Sequence, residues 1–216
     1  MKKGFFGTDS ALFRFLTVLM ELAQMNLLFL LYSLPLFTAG AAYSAMLDGL
    51  YTLSRKGEGC FSVSRFHHVF CKCVKNSVKI WCPGALGGIL LVYGILYWMK
   101  ASDGMVRILI CGVYAAVGIL LFGTLQYSLF CLARTFEWSK ERLKDCFLLA
   151  LAKYPVVILM FLITISWLVL LMLPGASLIR LLPLIALYCI VSPAYACVFF
   201  DIKILKPVMP ALFEEE

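Results

Sequence analysis

Three polar side chains that could do chemistry stand inside runs that are mostly apolar. Glu21 and Asn26 interrupt a run from Leu12 to Phe37, and Asp48 lies in a shorter one from Ala39 to Leu53. A carboxylate at bilayer depth costs at least about 2.5 kcal/mol, so an acid kept there is a candidate for holding a proton or a cation. Glu21, Asn26 and Asp48 are therefore the candidate polar path of a small solute or ion transporter or channel. The competing reading is neutralisation. Arg14 precedes Glu21 by seven residues and Arg55 follows Asp48 by seven, which puts each Arg on the helix face of its acid. A long Arg side chain near a span end can reach such an acid or the water beyond it.

Covalent chemistry finds no foothold. The chain has no G-x-S-x-G elbow, no H-E-x-x-H helix and no phosphate-binding G-x-x-x-x-G-K-S/T loop, and its only histidines are the adjacent His67 and His68. Cys60, His67, His68, Cys71 and Cys73 crowd one segment, but Cys-x-Cys is not the Cys-x(2)-Cys spacing of a structural zinc site. The expectation is a non-enzymatic protein with no cofactor and no metal, whose cysteines are reduced and pack as small apolar residues.

The elements that must carry these residues follow from composition. Hydrophobic residues make up 63% of the 216-residue chain and charged residues 14%, roughly half the charged fraction of a soluble domain. Runs of about 20 apolar residues read as membrane-spanning helices, because lipid offers the backbone no hydrogen-bonding partner. Such runs cover Leu12 to Phe37, Val78 to Met99, Met105 to Ala133, Tyr154 to Leu173 and Leu178 to Phe200, with Ala39 to Leu53 as a short sixth. If all six cross, 16 of the 19 Lys and Arg fall on one side; with five spans the split is 13 to 6. Positive charge concentrates in cytoplasmic loops, so the fold class expected is an all-α polytopic bundle of about six helices, five being the alternative. It forms a single integral domain over 1–216, sits in the plasma membrane, and has both termini cytoplasmic.

A weak internal echo accompanies this layout. A shift of 77 residues lays the segment 39–99 onto 116–176, each with an inward helix, a basic loop and an outward helix. Each loop holds an amphipathic stretch, Arg65 to Phe70 and Arg142 to Phe147, which reads as a short interfacial helix. Arg65, Lys72, Lys75, Asn76, Arg134, Arg142 and Lys144 form the expected cytoplasmic contact surface, suited to anionic lipid headgroups or the acidic face of a partner. Charge split among short tethered loops argues against nucleic acid. Small-residue patches such as Gly84 to Gly88 leave self-association open.

Between the first two helices, Pro35 and Gly40 bracket a sharp turn. Thr38 is placed to cap the second helix, and Gly40-Ala41-Ala42 allows close helix approach. Asn26, Ser33, Pro35, Thr38 and Gly40 form the hairpin motif. This pattern, Asn26 in the first span, then Ser33-Leu34-Pro35, Thr38-x-Gly40-x-Ala42 and a basic loop ending Phe70-Cys71-Lys72-Cys73-Val74-Lys75-Asn76, resembles the YesL-like family of bacterial membrane proteins, DUF624. Leu132 to Glu137 is similar to a later Leu-x-Arg-Phe-Asp/Glu stretch of that family, with one residue inserted. Members have no assigned activity, and their genes often lie beside those for carbohydrate ABC transporters and polysaccharide degradation. The resemblance thus implies an accessory, assembly or regulatory role in carbohydrate uptake, with transporter permease or sensor subunits as partners.

Overall fold

The computed structural model describes residues 11–101, 104–172 and 190–209. Among them the chain forms seven α-helices and one 3-10 turn: α1 (Ala11–Tyr32), the turn (Leu36–Thr38), α2 (Ala39–Lys56), α3 (Val63–Ala101), α4 (Gly104–Thr135), α5 (Lys140–Ala152), α6 (Tyr154–Met172) and α7 (Val191–Leu205). Residues 13–32 of α1, α3 and α4 are each long and apolar enough to cross a membrane, and α5 with the first part of α6 forms a fourth candidate bent by 89°. These helices mark a multi-pass membrane protein. Most of the run expected from Leu178 to Phe200 lies outside the described residues.

The short run from Ala39 to Leu53 becomes α2, 18 residues long and more polar than the candidate spans. Its composition follows from its neighbours. It packs against α1, α3, α4 and α7, and most of it is buried, from Gly40 through Leu53. Surrounded by protein, it needs small and polar side chains that fit other helices. By contrast α1, the second half of α3 and the first half of α4 expose large apolar residues, among them Leu27, Leu31, Leu90, Leu96, Ile108 and Leu109. Exposed apolar surface on that scale matches a lipid environment.

The 39 residues of α3 span about 58 Å at 1.5 Å per residue, roughly twice the hydrocarbon thickness. The polar half, with Arg65, Lys72, Lys75 and Lys79, precedes the uncharged stretch from Pro83 to Met99. The interfacial helix expected at Arg65 to Phe70 is therefore the opening of α3 and no separate element. Its counterpart α5 is separate, turning by 89° into α6. Both α3 and α5 start 77 residues apart, at Val63 and Lys140, and the bend has a local cause. Pro155 sits in the first turn of α6, where its ring excludes a continuing helix. The residue 77 positions earlier is Val78, and α3 continues past it as one helix.

Candidate functional site

The turn between α1 and α2 is built on side chain to backbone bonds. Thr38 does not cap α2 through its side chain; its hydroxyl hydrogen is shared between the carbonyl oxygens of Tyr32 and Pro35, each 2.7 Å away. It closes the end of α1, because the 3-10 turn already delivers the chain to α2 in helical conformation. Ser33 donates to the Leu30 carbonyl at 3.1 Å. Gly40 is required by contact: a Cβ there would lie 2.6 Å from both Ser77 Oγ and Trp81 Cβ of α3. The Trp81 indole donates to the Leu36 carbonyl at 3.1 Å, so this Trp anchors the turn from the middle of α3.

At the centre of α2, Asp48 is 3% exposed and receives two guanidinium groups. Arg65 of α3 donates through Nε to Oδ2 at 2.9 Å, and Arg134 of α4 through Nη1 to Oδ1 at 3.1 Å. Arg134 also lies over the Tyr51 ring, 4.4 Å from its centre. The partner expected along the same helix, Arg55, donates instead to the Tyr51 hydroxyl at 2.9 Å. Likewise Arg14 pairs with Glu58 at 3.1 Å, and Glu21 Oε1 accepts the Phe61 N–H at 3.3 Å. Neither i, i+7 pairing forms. Two turns separate such residues by about 10 Å, whereas a neighbouring helix brings a charge into direct contact.

The second stretch of the resemblance meets the first a little further along α3. Phe136 follows the end of α4 with φ 57°, a left-handed conformation that ordinarily favours glycine. It is held there by α3: Asn76 Nδ2 donates to the Phe136 carbonyl at 3.1 Å, and Lys72 Nζ lies 4.9 Å from the ring centre. Of the seven residues read as a contact surface, Arg65 and Arg134 therefore turn inward to Asp48, and Asn76 secures the end of α4. Arg142 reaches Glu137 at 3.7 Å. Lys72, Lys75 and Lys144 remain exposed.

Glu21, Asn26 and Asp48 are all buried, Asn26 completely, yet they do not share a cavity. The space beside Asp48 is about 10 Å³, lined by Arg65, Thr52 and Phe61, which is at the limit for one water. A larger cavity of about 440 Å³ lies elsewhere, lined by Phe29, Tyr43, Trp81, Gly88, Leu125 and Gln126 among others. At its wall the Tyr43 hydroxyl donates to Gln126 Oε1 at 2.8 Å, and Gln126 Nε2 donates to Asp201 Oδ2 of α7 at 3.0 Å. Asp201 is fully buried, and its Oδ1 has no hydrogen-bond partner among the described residues. The sequence reading passed over this relay because Asp201 follows the last apolar run and counts as a loop residue. A Gln within the long apolar α4 was the available signal.

Among the described residues no three His, Cys, Asp or Glu side chains are grouped to hold a metal ion. The nearest approach in the Cys and His segment is Cys71 Sγ to His67 Nε2 at 3.5 Å.

Residues 22–95 match the family model described as "Protein of unknown function, DUF624". The matched segment runs from α1 through most of α3, and so includes the hairpin motif, Asp48, Arg65, Lys72 and Asn76. No curated protein and no solved structure matches the chain.

Proposed function

From the premise that residues 22–95 are a DUF624 segment, we propose that this multi-pass membrane protein is a non-enzymatic accessory or assembly factor. It works in the plasma membrane beside a carbohydrate uptake system. The observation that carries this reading is the state of Asp48. The one acid of α2 is taken up by two guanidinium groups, one of them, Arg134, with a side chain only 8% exposed. Its charge fastens α2 to α3 and α4 and leaves about 10 Å³ beside it. Such a clamp favours a rigid scaffold over a solute passage. Lys72, Lys75 and Lys144 supply the basic contact surface, which the charge asymmetry of the loops assigns to the cytoplasmic side together with both termini.

Crosslinking the tagged protein in native membranes and identifying what is recovered tests the proposal. A carbohydrate permease or sensor subunit recovered with the wild type, and lost when the three lysines become glutamate, is the expected result. Recovery of the chain alone, or only with copies of itself, would overturn it. The Tyr43, Gln126 and Asp201 relay beside the 440 Å³ cavity favours one second reading, a small transporter or channel. That reading predicts solute flux in liposomes that Asp201→Asn abolishes.

A further inference from the structure

Cys131, in the last turns of α4, and Cys146, in α5, are 3% and 1% exposed. Their sulfurs are 3.9 Å apart, so closure to a disulfide length of about 2.05 Å needs a shift under 2 Å. Beside them lies a cavity of about 20 Å³, lined by both cysteines, Ser128, Trp138 and Arg142. It has room for one molecule of water size. Two of the groups around it, Trp138 Nε1 and Arg142 Nη1, are buried donors without a hydrogen-bond partner among the described residues. A small oxygen-rich molecule is the class of ligand that two donors and a thiol pair fit.

The two sulfurs are not equivalent. Arg142 lies one turn before Cys146 on α5 and lines the same cavity with Ser128, so Cys146 is the thiol with a cation on its own helix face. A cation beside a thiol favours its thiolate, the form that attacks peroxide.

We propose that Cys131 and Cys146 form a hydroperoxide-responsive dithiol that closes reversibly into a disulfide joining α4 to α5. The Cys146 thiolate attacks one peroxide oxygen. An S–O bond forms, the O–O bond breaks, and the departing hydroxide takes the proton released by the thiol, leaving water and a Cys146 sulfenic acid. Cys131 then attacks that sulfur. The S–S bond forms, the S–O bond breaks, and hydroxide leaves with the Cys131 proton as a second water. Two thiols are oxidised, one peroxide is reduced, and Arg142 acts as a positioning residue that favours the attacking thiolate. Because Cys131 lies three residues before Arg134 on α4, the disulfide fixes the same helix end that holds Asp48.

The test treats the whole protein in lipid nanodiscs with hydrogen peroxide, alkylates the remaining thiols and analyses peptides by mass spectrometry. In the wild type the linked Cys131 and Cys146 peptides should accumulate before exposed Cys71 and Cys82 are oxidised, and a dithiol reductant should reverse the link. Cys131→Ser should trap Cys146 as a sulfenic acid that a dimedone probe labels. Arg142→Gln, which removes the cation beside the thiol pair, should slow the link. Oxidation of Cys71 and Cys82 while both buried thiols stay alkylatable would overturn the proposal, as would equal rates for wild type and Arg142→Gln.

Discussion

Removing the Asp48 charge separates the two arginines that hold it, because they differ in burial far more than in distance. Arg65 and Arg134 sit 2.9 and 3.1 Å from the carboxylate, but their side chains are 32% and 8% exposed. In Asp48→Asn, Arg65 can turn to solvent, whereas Arg134 is left as a buried cation without its carboxylate. Breaking a buried pair by removing one partner costs about 3–5 kcal/mol, and the Tyr51 ring contact, present with or without the Asp48 charge, does not change that. Asp48→Asn is therefore expected to destabilise by roughly 3–5 kcal/mol. Arg134→Ala should cost about 3 kcal/mol, since Asp48 keeps one partner. Arg65→Ala should cost about 1 kcal/mol, the range of a partly exposed pair. Thermal unfolding of the detergent-solubilised variants, followed by loss of monodisperse protein, ranks them; 1 kcal/mol corresponds to roughly 2–4 °C at this chain length. The double variant Asp48→Asn with Arg134→Met should recover part of the loss, giving a coupling of about 1–3 kcal/mol. An Arg65→Ala variant as unstable as Arg134→Ala, or a fully stable Asp48→Asn, would refute the argument that burial sets the strength of the clamp.

Gly40→Ala should lower stability by about 1–3 kcal/mol through overpacking against Ser77 and Trp81. Gly88→Ala, whose Cβ would meet nothing within 4 Å, should be neutral or slightly stabilising, and the same unfolding assay compares them. Asn76→Ala removes the bond to the Phe136 carbonyl and should cost about 1 kcal/mol, read as increased protease cleavage between α4 and α5. Thr38→Val, which keeps the shape and deletes the shared hydroxyl, should cost about 1 kcal/mol in the unfolding assay without altering the α2 boundary seen by hydrogen exchange.

Much of the helical layout was legible because lipid and protein neighbours leave different marks on sequence. The runs at Met105 to Ala133 and Tyr154 to Leu173 reappear as α4 and α6 nearly unchanged, since a helix facing lipid must be apolar on most of its surface. Gly40 was legible for a similar reason: a small residue in such a run leaves space for another helix. The loop helices were half legible. Amphipathic spacing marks Arg65 to Phe70 and Arg142 to Phe147 alike, and the first opens one continuous helix while the second ends at a bend beside Pro155. The partners of the acids were not legible, because Glu21, Asp48 and Asp201 are met by Phe61, by Arg65 and Arg134, and by Gln126, each on a distant segment.

By itself, then, the sequence determined an all-helical, multi-pass membrane protein with a tight first hairpin and basic loops. Those properties depend on hydrocarbon excluding charge and unpaired backbone, a local rule that each segment obeys alone. The tertiary structure decided that the short second helix is the buried centre, that two of the loop arginines turn inward to Asp48, and that Cys131 meets Cys146. Those depend on which helices come into contact. A charge or thiol is directed by whatever lies within a few ångströms of it, and sequence separation does not record that distance.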